Sequence, residues 1–427
     1  MNDLTRLRDE VSAEECGAWA SAVRIASKRL AVAHAAAKND WLMRSAEALR
    51  ERTREILNAN AIDRDRAPAL GLSAAAIDRL TLDVKRIESI AHSLEQIAAL
   101  PDPVGEVIRG EKRPNGLDVR QIRVPIGVVF IIYESRPNVT VDAAAICLKS
   151  GNGAILRGGK EAIESNCALM NILKAQFEPS GLPEDSVLLV PTADRAAVGH
   201  LLARGDLIDL AIPRGGESLI RRVVAEARMP VLKHFQGNCH VYVDREVEID
   251  MAVRVTVNAK ADRPGVCNAA ETLLVHRAIA ARFLPIAARA LADRGVELRG
   301  DEPSRALVPS MKAAIASDWD TEYLDKILAV RVVESIDEAI AHIDRHGSKH
   351  TDAILTSDFA AARRFAAQVD SAAVVVNAST RFNDGGELGM GAEIGISTDK
   401  YHARGPCGLR ELTTTKWIVE GDGHIRL

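Results

Sequence analysis

The chain has 427 residues, 47% of them hydrophobic and 27% charged, and its 55 basic and 59 acidic side chains leave a formal net charge of −4. Such usage excludes a disordered chain, the balanced charge removes the electrostatic footprint of a nucleic-acid binder, and no stretch reaches the ~18 apolar residues of a membrane span. The length exceeds the roughly 250 to 300 residues that one hydrophobic core can fill, so two domains or more are expected.

Met1 to Ser27 mixes acids and bases without an apolar targeting core, which predicts a chain that stays in the cytoplasm where it is made. Apolar residues return every three or four positions through Asp40 to Ala59 and Ala74 to Leu100, the spacing of packed amphipathic helices. Pro101 and Pro103 close that region, and the turn-forming stretch Gly110 to Gly116 precedes an alternating run, Leu117 to Arg123, that reads as a hairpin. From Val124 short apolar runs alternate with helical segments. Strands are predicted at Val124 to Tyr133, Ala154 to Leu156, Val187 to Val190 and Leu207 to Ile212. Between and after them fall helices at about Val139 to Ser150, Glu161 to Phe177, from Asp194, and Glu217 to Ala227. Strands covered on both faces by crossover helices form a parallel, doubly wound sheet.

After Pro230 the alternation starts again. Strands are predicted at Val241 to Val243, Thr272 to Val275, Leu328 to Val333, Thr351 to Leu355 and Ala373 to Asn377. Helices start at Ile249, span Ile336 to Arg345, and end at Val369. Thr380 to Gly408 is rich in glycine with interspersed charges, as a functional loop would be, and Thr413 to Val419 reads as a closing strand. No internal repeat is visible.

Six cysteines, at 16, 147, 167, 239, 267 and 407, lie far apart with no C-x-x-C pair, which predicts reduced thiols and leaves room for one reactive cysteine. Cys267 sits between a Pro-Gly turn and an apolar run in NAKADRPGVCNAAETLLV, residues 258 to 275. If the loop enters a helix there, backbone N–H groups, with Lys260 and Arg263 nearby in sequence, would favour the thiolate. The alternative is a buried cysteine packed as a small hydrophobe.

Four segments carry a resemblance to a known family. They are VPIGVVFIIYESRPN at Val124 to Asn138, GNCHVYV at Gly237 to Val243, RPGVCNA at Arg263 to Ala269, and TDKYHARGPCG at Thr398 to Gly408. Through them the chain, from about Val104 to Val419, resembles the aldehyde dehydrogenase superfamily, and within it the branch that reduces an acyl phosphate. The resemblance implies an α/β fold of two doubly wound domains plus a β oligomerisation arm. Residues 1–237 would bind the cofactor, 238–405 would be the catalytic domain, and 406–427 would supply a C-terminal strand pairing with the hairpin at 104–123. It further implies NADPH-dependent reduction of L-glutamate 5-phosphate to L-glutamate 5-semialdehyde and phosphate, a step of proline biosynthesis, with Cys267 as the nucleophile that forms a thioester. The semialdehyde would close on its own amine to pyrroline-5-carboxylate.

By the same resemblance Asn138 takes the position of the oxyanion-binding asparagine, with a helix cap after Pro137 as the alternative. Relatives that hydrolyse their thioester carry a glutamate where this chain has His234, and an enzyme that exchanges phosphate has no use for a water-activating base. His234 is otherwise read as a packed structural histidine. No G-x-G-x-x-G follows the first strand. Arg157 and Lys160 fall where relatives contact the adenosine ribose, and lysine in place of a glutamate suits the 2′-phosphate of NADP. The turn at Gly215 and Gly216 would let backbone N–H groups approach a pyrophosphate. Glu322 matches the glutamate that holds the nicotinamide ribose, or is an exposed helix-start glutamate. Candidates for the substrate's charged ends are Arg136, Arg263, Arg381, Asp384, Glu387 and Arg404. Asp262 departs from the glutamine expected before Arg263. His342, His346 and His350 have helical spacing, but Gly347 should end the helix and no cysteine or carboxylate completes a set, so they are read as solvated histidines and no metal is expected. Further expectations are a homo-oligomer, dimer or tetramer, a glutamate kinase on a separate chain as supplier of the acyl phosphate, and neither nucleic acid nor membrane as partner. Two alternatives stand beside this reading: a semialdehyde dehydrogenase working oxidatively with hydrolysis, and a non-catalytic protein that keeps the fold.

Overall fold

The computed structural model describes residues 10–426, so the first nine residues of the expected cofactor domain and the final leucine lie outside the described residues. The chain forms two compact units. One runs to Lys233 and takes in Met390–Gly395 and the chain from Cys407 onward; the other is His234–Gly389 with Ile396–Pro406. The expected boundary after Gly237 thus falls a few residues earlier.

In the first unit five helices precede any strand: Ala13–Leu30, Ala35–Glu51, Thr53–Arg66, Ala74–Leu80 and Val84–Ala99. The first starts at a capping box in which Ser12 and Glu15 satisfy each other's backbone N–H. Four parallel strands then pair in the order Val187–Leu189, Gly153–Arg157, Val128–Tyr133 and Leu210–Arg214. Every residue of Val128–Tyr133 is buried, as a strand covered on both faces requires.

The apolar run expected as one strand from Val124 is two. Asp118–Pro125 pairs antiparallel with Val107–Lys112 on one side and with Thr413–Glu420 on the other, and the parallel strand begins only at Val128. The break is Gly127, at φ +137, where a Cβ would lie 2.1 Å from Asp209 Oδ2. That carboxylate accepts from the Val128 N–H at 2.7 Å and pairs with Arg24 at 2.6 Å, so a side chain at 127 would displace an ion pair. The strand expected at Leu207 starts instead at Leu210, because the Leu207 and Ile208 N–H groups turn back to the Arg204 carbonyl, both at 2.9 Å.

In the second unit seven parallel strands run in the order Lys312–Ala313, Glu297–Gly300, Ile327–Val333, Ala270–His276, Cys239–Val243, Thr351–Leu355 and Ala373–Val376. The helices Ile249–Ala261 and Arg277–Ala292 cover one face around Phe283, Leu284 and Leu291; Ile336–His346 and Phe359–Gln368 cover the other around Ile340, Ile343 and Phe365. Gly347 ends the helix Ile336–His346, but the expectation of solvated histidines is corrected. His342 and His350 are buried, and the His342 ring meets the rings of His240 and Trp319 edge-on, each at 5.5 Å. His342 turns inward from its helix onto His240 of the sheet, and His350 stands just before the strand Thr351–Leu355; burial pushes the His342 imidazole down to about 2. No helix among the described residues is long and apolar enough to cross a membrane.

Candidate active site

Cys267 lies in a run of turns between the helix Ile249–Ala261 and the strand Ala270–His276. The expectation that the loop enters a helix here is corrected: the residues after Cys267 join the sheet, and no helix begins in its own segment. Lys260 does not stand as an open charge either. It is fully buried and paired with the equally buried Glu271 at 2.5 Å. Arg263 is exposed.

What sets Cys267 apart is access. Five of the six cysteines are buried and Cys267 alone is partly exposed. Burial pushes the Cys16 thiol up to about 11, the Cys167 thiol up to about 12, and those of Cys147 and Cys239 higher still, so these four remain protonated at neutral pH.

The backbone around Cys267 is held from several directions. Cys239 Sγ donates to the Cys267 carbonyl at 3.2 Å, and Thr380 Oγ1 donates to the Asn268 carbonyl at 2.7 Å. Asn268 Nδ2 donates to the Asn383 carbonyl at 3.1 Å, and the Arg381 guanidinium bonds both Asn268 Oδ1 and Asp262. Arg381 therefore fixes the Cys267 loop, with Asp262 as its partner. Gly237 passes so close beneath that a Cβ there would stand 2.0 Å from the Cys267 carbonyl oxygen. The Gly237 N–H donates to Glu322 Oε1 at 2.8 Å. Glu322 itself sits in the loop before the strand Ile327–Val333 rather than at a helix start. Gly237→Ala is expected to displace the loop by about an ångström and lower kcat by roughly 10²-fold, a size of effect that steady-state kinetics on the folded variant would register.

Two histidines complete this cluster. One ring nitrogen each of His234 and His350 and the Cys267 sulfur lie within 4.8 Å of one another. His234 is half-buried and donates from Nδ1 to the Ile396 carbonyl at 2.9 Å. His350 is fully buried, with Nδ1 2.7 Å from Thr351 Oγ1, and burial followed by the neighbouring His234 pushes it down to about 3. It is neutral at physiological pH. No local sequence signal tied His350 to Cys267; only the strand Thr351–Leu355 lying beside Cys239–Val243 brings them together.

The other substrate candidates are dispersed. In the second unit Arg404 is tied to Asp370, at 2.8 Å to its carboxylate and 2.9 Å to its carbonyl. Asp384 is exposed and accepts from the Gly386 N–H at 2.9 Å, closing its own turn, while Glu387 and Arg263 are exposed. Arg136 is exposed in the first unit.

The first unit holds a cavity of about 490 Å³ beyond the ends of its parallel strands. Arg157, Lys160, Arg195 and Arg222 line it with Ser218, and Leu72, Val198 and Leu219 give it apolar walls. Arg157 is buried and spans to the Gly158 and Ala193 carbonyls, both at 2.9 Å, leaving Nε without a partner among the described residues. Gly216 caps the helix Glu217–Glu226, but its N–H is directed to Glu134 Oε2 at 3.3 Å, and a Cβ on Gly215 would lie 2.5 Å from that oxygen. Arg195 and Arg222 escaped the sequence reading because neither belongs to a motif. Asn138 is the first residue of the helix Asn138–Lys149. Its Nδ2 donates to Asp142 at 2.9 Å, and burial raises that carboxyl to about 6 against the pull of this bond.

The profile of the aldehyde dehydrogenase family matches residues 7–316. The gamma-glutamyl phosphate reductase of Rhodopirellula baltica is 56% identical, covering 98% of this chain and 97% of its own, and that of Geotalea daltonii is 53% identical over 97% and 99%. The crystal structure of the gamma-glutamyl phosphate reductase of Thermotoga maritima, at 47% identity, superposes with a TM-score of 0.95 over 97% of this chain and all of that one.

Proposed function

Because this chain belongs to the aldehyde dehydrogenase family, in its gamma-glutamyl phosphate reductase branch, we propose that it reduces L-glutamate 5-phosphate to L-glutamate 5-semialdehyde with NADPH, through a thioester on Cys267. The observation that supports the nucleophile is that Cys267 alone of the six cysteines is partly exposed, while burial keeps four of the others protonated. In this mechanism the Cys267 sulfur attacks the acyl carbon, the bond from that carbon to the phosphate oxygen breaks, and phosphate leaves. The reduced nicotinamide, when bound, supplies the hydride that takes the acyl group to the aldehyde level. Cys267 then departs as thiolate when its carbon–sulfur bond breaks and the aldehyde is released. Asn138 is proposed as amide donor to the oxyanions; Asp142 occupies one of its two amide hydrogens and leaves the other for the substrate. With histidine at 234 no carboxylate stands where relatives activate water, so the thioester survives until hydride or phosphate reaches it.

The cavity of the first unit fits a dinucleotide phosphate. Four cationic side chains line it against two carboxylates, Glu134 and Glu161, one of the cations has an unpartnered buried nitrogen, and the apolar walls suit a purine. Arg157, Lys160, Arg195 and Arg222 would hold the adenosine end, with Glu322 proposed for the nicotinamide ribose and the turn at Gly215 and Gly216 for the pyrophosphate. For NADP over NAD, Lys160→Glu is expected to cost NADPH at least about tenfold in kcat/KM, as loss of a charged hydrogen bond worth roughly 1.5 to 3 kcal/mol implies, and to leave NADH less affected. Arg136, Arg263, Arg381, Asp384, Glu387 and Arg404 remain the proposed groups around the amino-acid end of the substrate. Oligomerisation through the exposed strands Val107–Lys112 and Thr413–Glu420, and supply of the substrate by a separate glutamate kinase, complete the proposal.

The reaction run backwards tests it. Purified protein, L-glutamate 5-semialdehyde and NADP should form NADPH in continuous turnover only when inorganic phosphate is present. Equal turnover without phosphate would mean that water cleaves the thioester, and the oxidative dehydrogenase would replace this reading.

A further inference from the structure

We infer that His234, Cys267 and His350 bind one thiophilic divalent cation of the zinc class, and that its occupancy switches the nucleophile off. The binding rests on geometry; the inhibition rests on the reading of Cys267 as nucleophile.

One thiolate and two imidazoles form an N₂S set, which suits a borderline or soft cation and, lacking carboxylates, does not suit calcium or magnesium. The three ligand atoms lie within 4.8 Å of one another. Zinc bonds of about 2.0 to 2.3 Å in a tetrahedron would bring them to about 3.3 to 3.6 Å, an adjustment of roughly an ångström. Cys267 and His234 are both only half-buried, so rotation about their side-chain bonds can supply it.

The hydrogen bonds also leave the right nitrogens as acceptors. His234 Nδ1 faces the Ile396 carbonyl, which can only accept, so Nδ1 carries the proton and Nε2 the lone pair. At His350 the proton count runs through Thr351. The Thr351 hydroxyl accepts from Asn383 Nδ2 at 2.7 Å, and the Cys239 sulfur, whose own S–H is directed to the Cys267 carbonyl, lies 3.6 Å from His350 Nδ1. Nδ1 thus faces two groups able to accept, that sulfur and the Thr351 hydroxyl at 2.7 Å, and carries the ring's proton. His350 Nε2 is then a lone pair, fully buried and without a partner among the described residues. A buried acceptor left bare is destabilising, and a cation would satisfy it. Binding forms a sulfur–metal bond and breaks the Cys267 S–H bond; the proton goes to solvent and no electrons are transferred. The sulfur lone pair then belongs to the metal and cannot attack a carbonyl, while the fourth coordination position stays open to water.

The test uses the full-length, reduced, metal-free protein and two probes. One equivalent of Zn²⁺ should slow alkylation of Cys267 by iodoacetamide, read by peptide mass, at least about tenfold; EDTA should restore it and Mg²⁺ should have no effect. His234→Ala and His350→Ala should each raise the Zn²⁺ concentration for half-protection by about tenfold or more. Co²⁺ on the wild type should give a near-ultraviolet thiolate charge-transfer band that Cys267→Ser lacks, a readout that stands even where a histidine variant folds poorly. Unchanged alkylation at a tenfold excess of Zn²⁺, equal protection in both histidine variants, or no cobalt band would overturn the site. Retained reductase activity in Cys267→Ala with Zn²⁺ protection of the wild type intact would instead overturn the nucleophile and leave the metal site standing.

Discussion

Replacing Cys267 by alanine is expected to lower reductase turnover by about three orders of magnitude or more, the scale seen when a covalent nucleophile is removed. The fold should survive the change. Cys267 is only half-buried, its backbone rather than its sulfur receives the Cys239 bond, and alanine keeps the same Cβ above Gly237. Thermal melting should therefore differ little between the two proteins while NADPH consumption disappears. A variant that unfolds with its activity would make Cys267 a packing residue. One that stays active would move the nucleophile elsewhere, with no other cysteine in reach of solvent to take the role.

The second large effect is on stability. Lys260 and Glu271 are both fully buried and bonded at 2.5 Å, and the Leu324 N–H reaches Glu271 at 3.4 Å. Burial raises the Glu271 carboxyl to about 7 and lowers the Lys260 ammonium, each against the attraction of the other. Lys260→Met removes the cation and leaves a carboxylate with no counter-charge, a loss of roughly 3 to 5 kcal/mol measurable by denaturant unfolding. The variant should also respond to pH in a set direction. An acid whose folded pKa is raised binds its proton more tightly when folded, so stability is highest below its unfolded pKa and falls as pH rises toward the folded value. Lys260→Met lifts that folded value further. Its deficit against the wild type should be smallest near pH 4.5 and largest above pH 7. Adding Glu271→Leu should recover most of the loss; a deficit that stays constant with pH and is not rescued would show that packing, not charge, held the pair.

Much of the fold is written in apolar runs. Val128–Tyr133, Thr351–Leu355 and Ile327–Val333 are buried on both faces and announce themselves as β-rich stretches between turn residues. The break inside Val124 to Tyr133 was not readable, because the run is apolar throughout and the positive φ of Gly127 serves an aspartate some eighty residues away. No element was foreseen between Val275 and Leu328. There Pro285 interrupts the pattern of the helix Arg277–Ala292, and the short strand Glu297–Gly300 is held by pairing with Ile327–Val333 and Lys312–Ala313. Around the site, the local run Cys-Asn-Ala-Ala-Glu has helical propensity, yet the strands Cys239–Val243 and Ile327–Val333 on either side recruit Ala270–His276 into the sheet. Motif and spacing drew notice to Cys267 and to the histidines, but spacing cannot report burial. His350, read as a solvated ring, and Lys260, read as a charge beside the thiol, are interior groups once the layers close over them.

The proposed thioester on Cys267 is tested most directly by a single turnover without phosphate. Mixing the protein with L-glutamate 5-semialdehyde and NADP should release one NADPH per chain and then stop. The intact mass should rise by one glutamyl acyl group, located on the peptide that contains Cys267, and adding phosphate should discharge it. NADPH formation that continues without phosphate, or a burst that leaves Cys267 unmodified, would rule out a lasting thioester there.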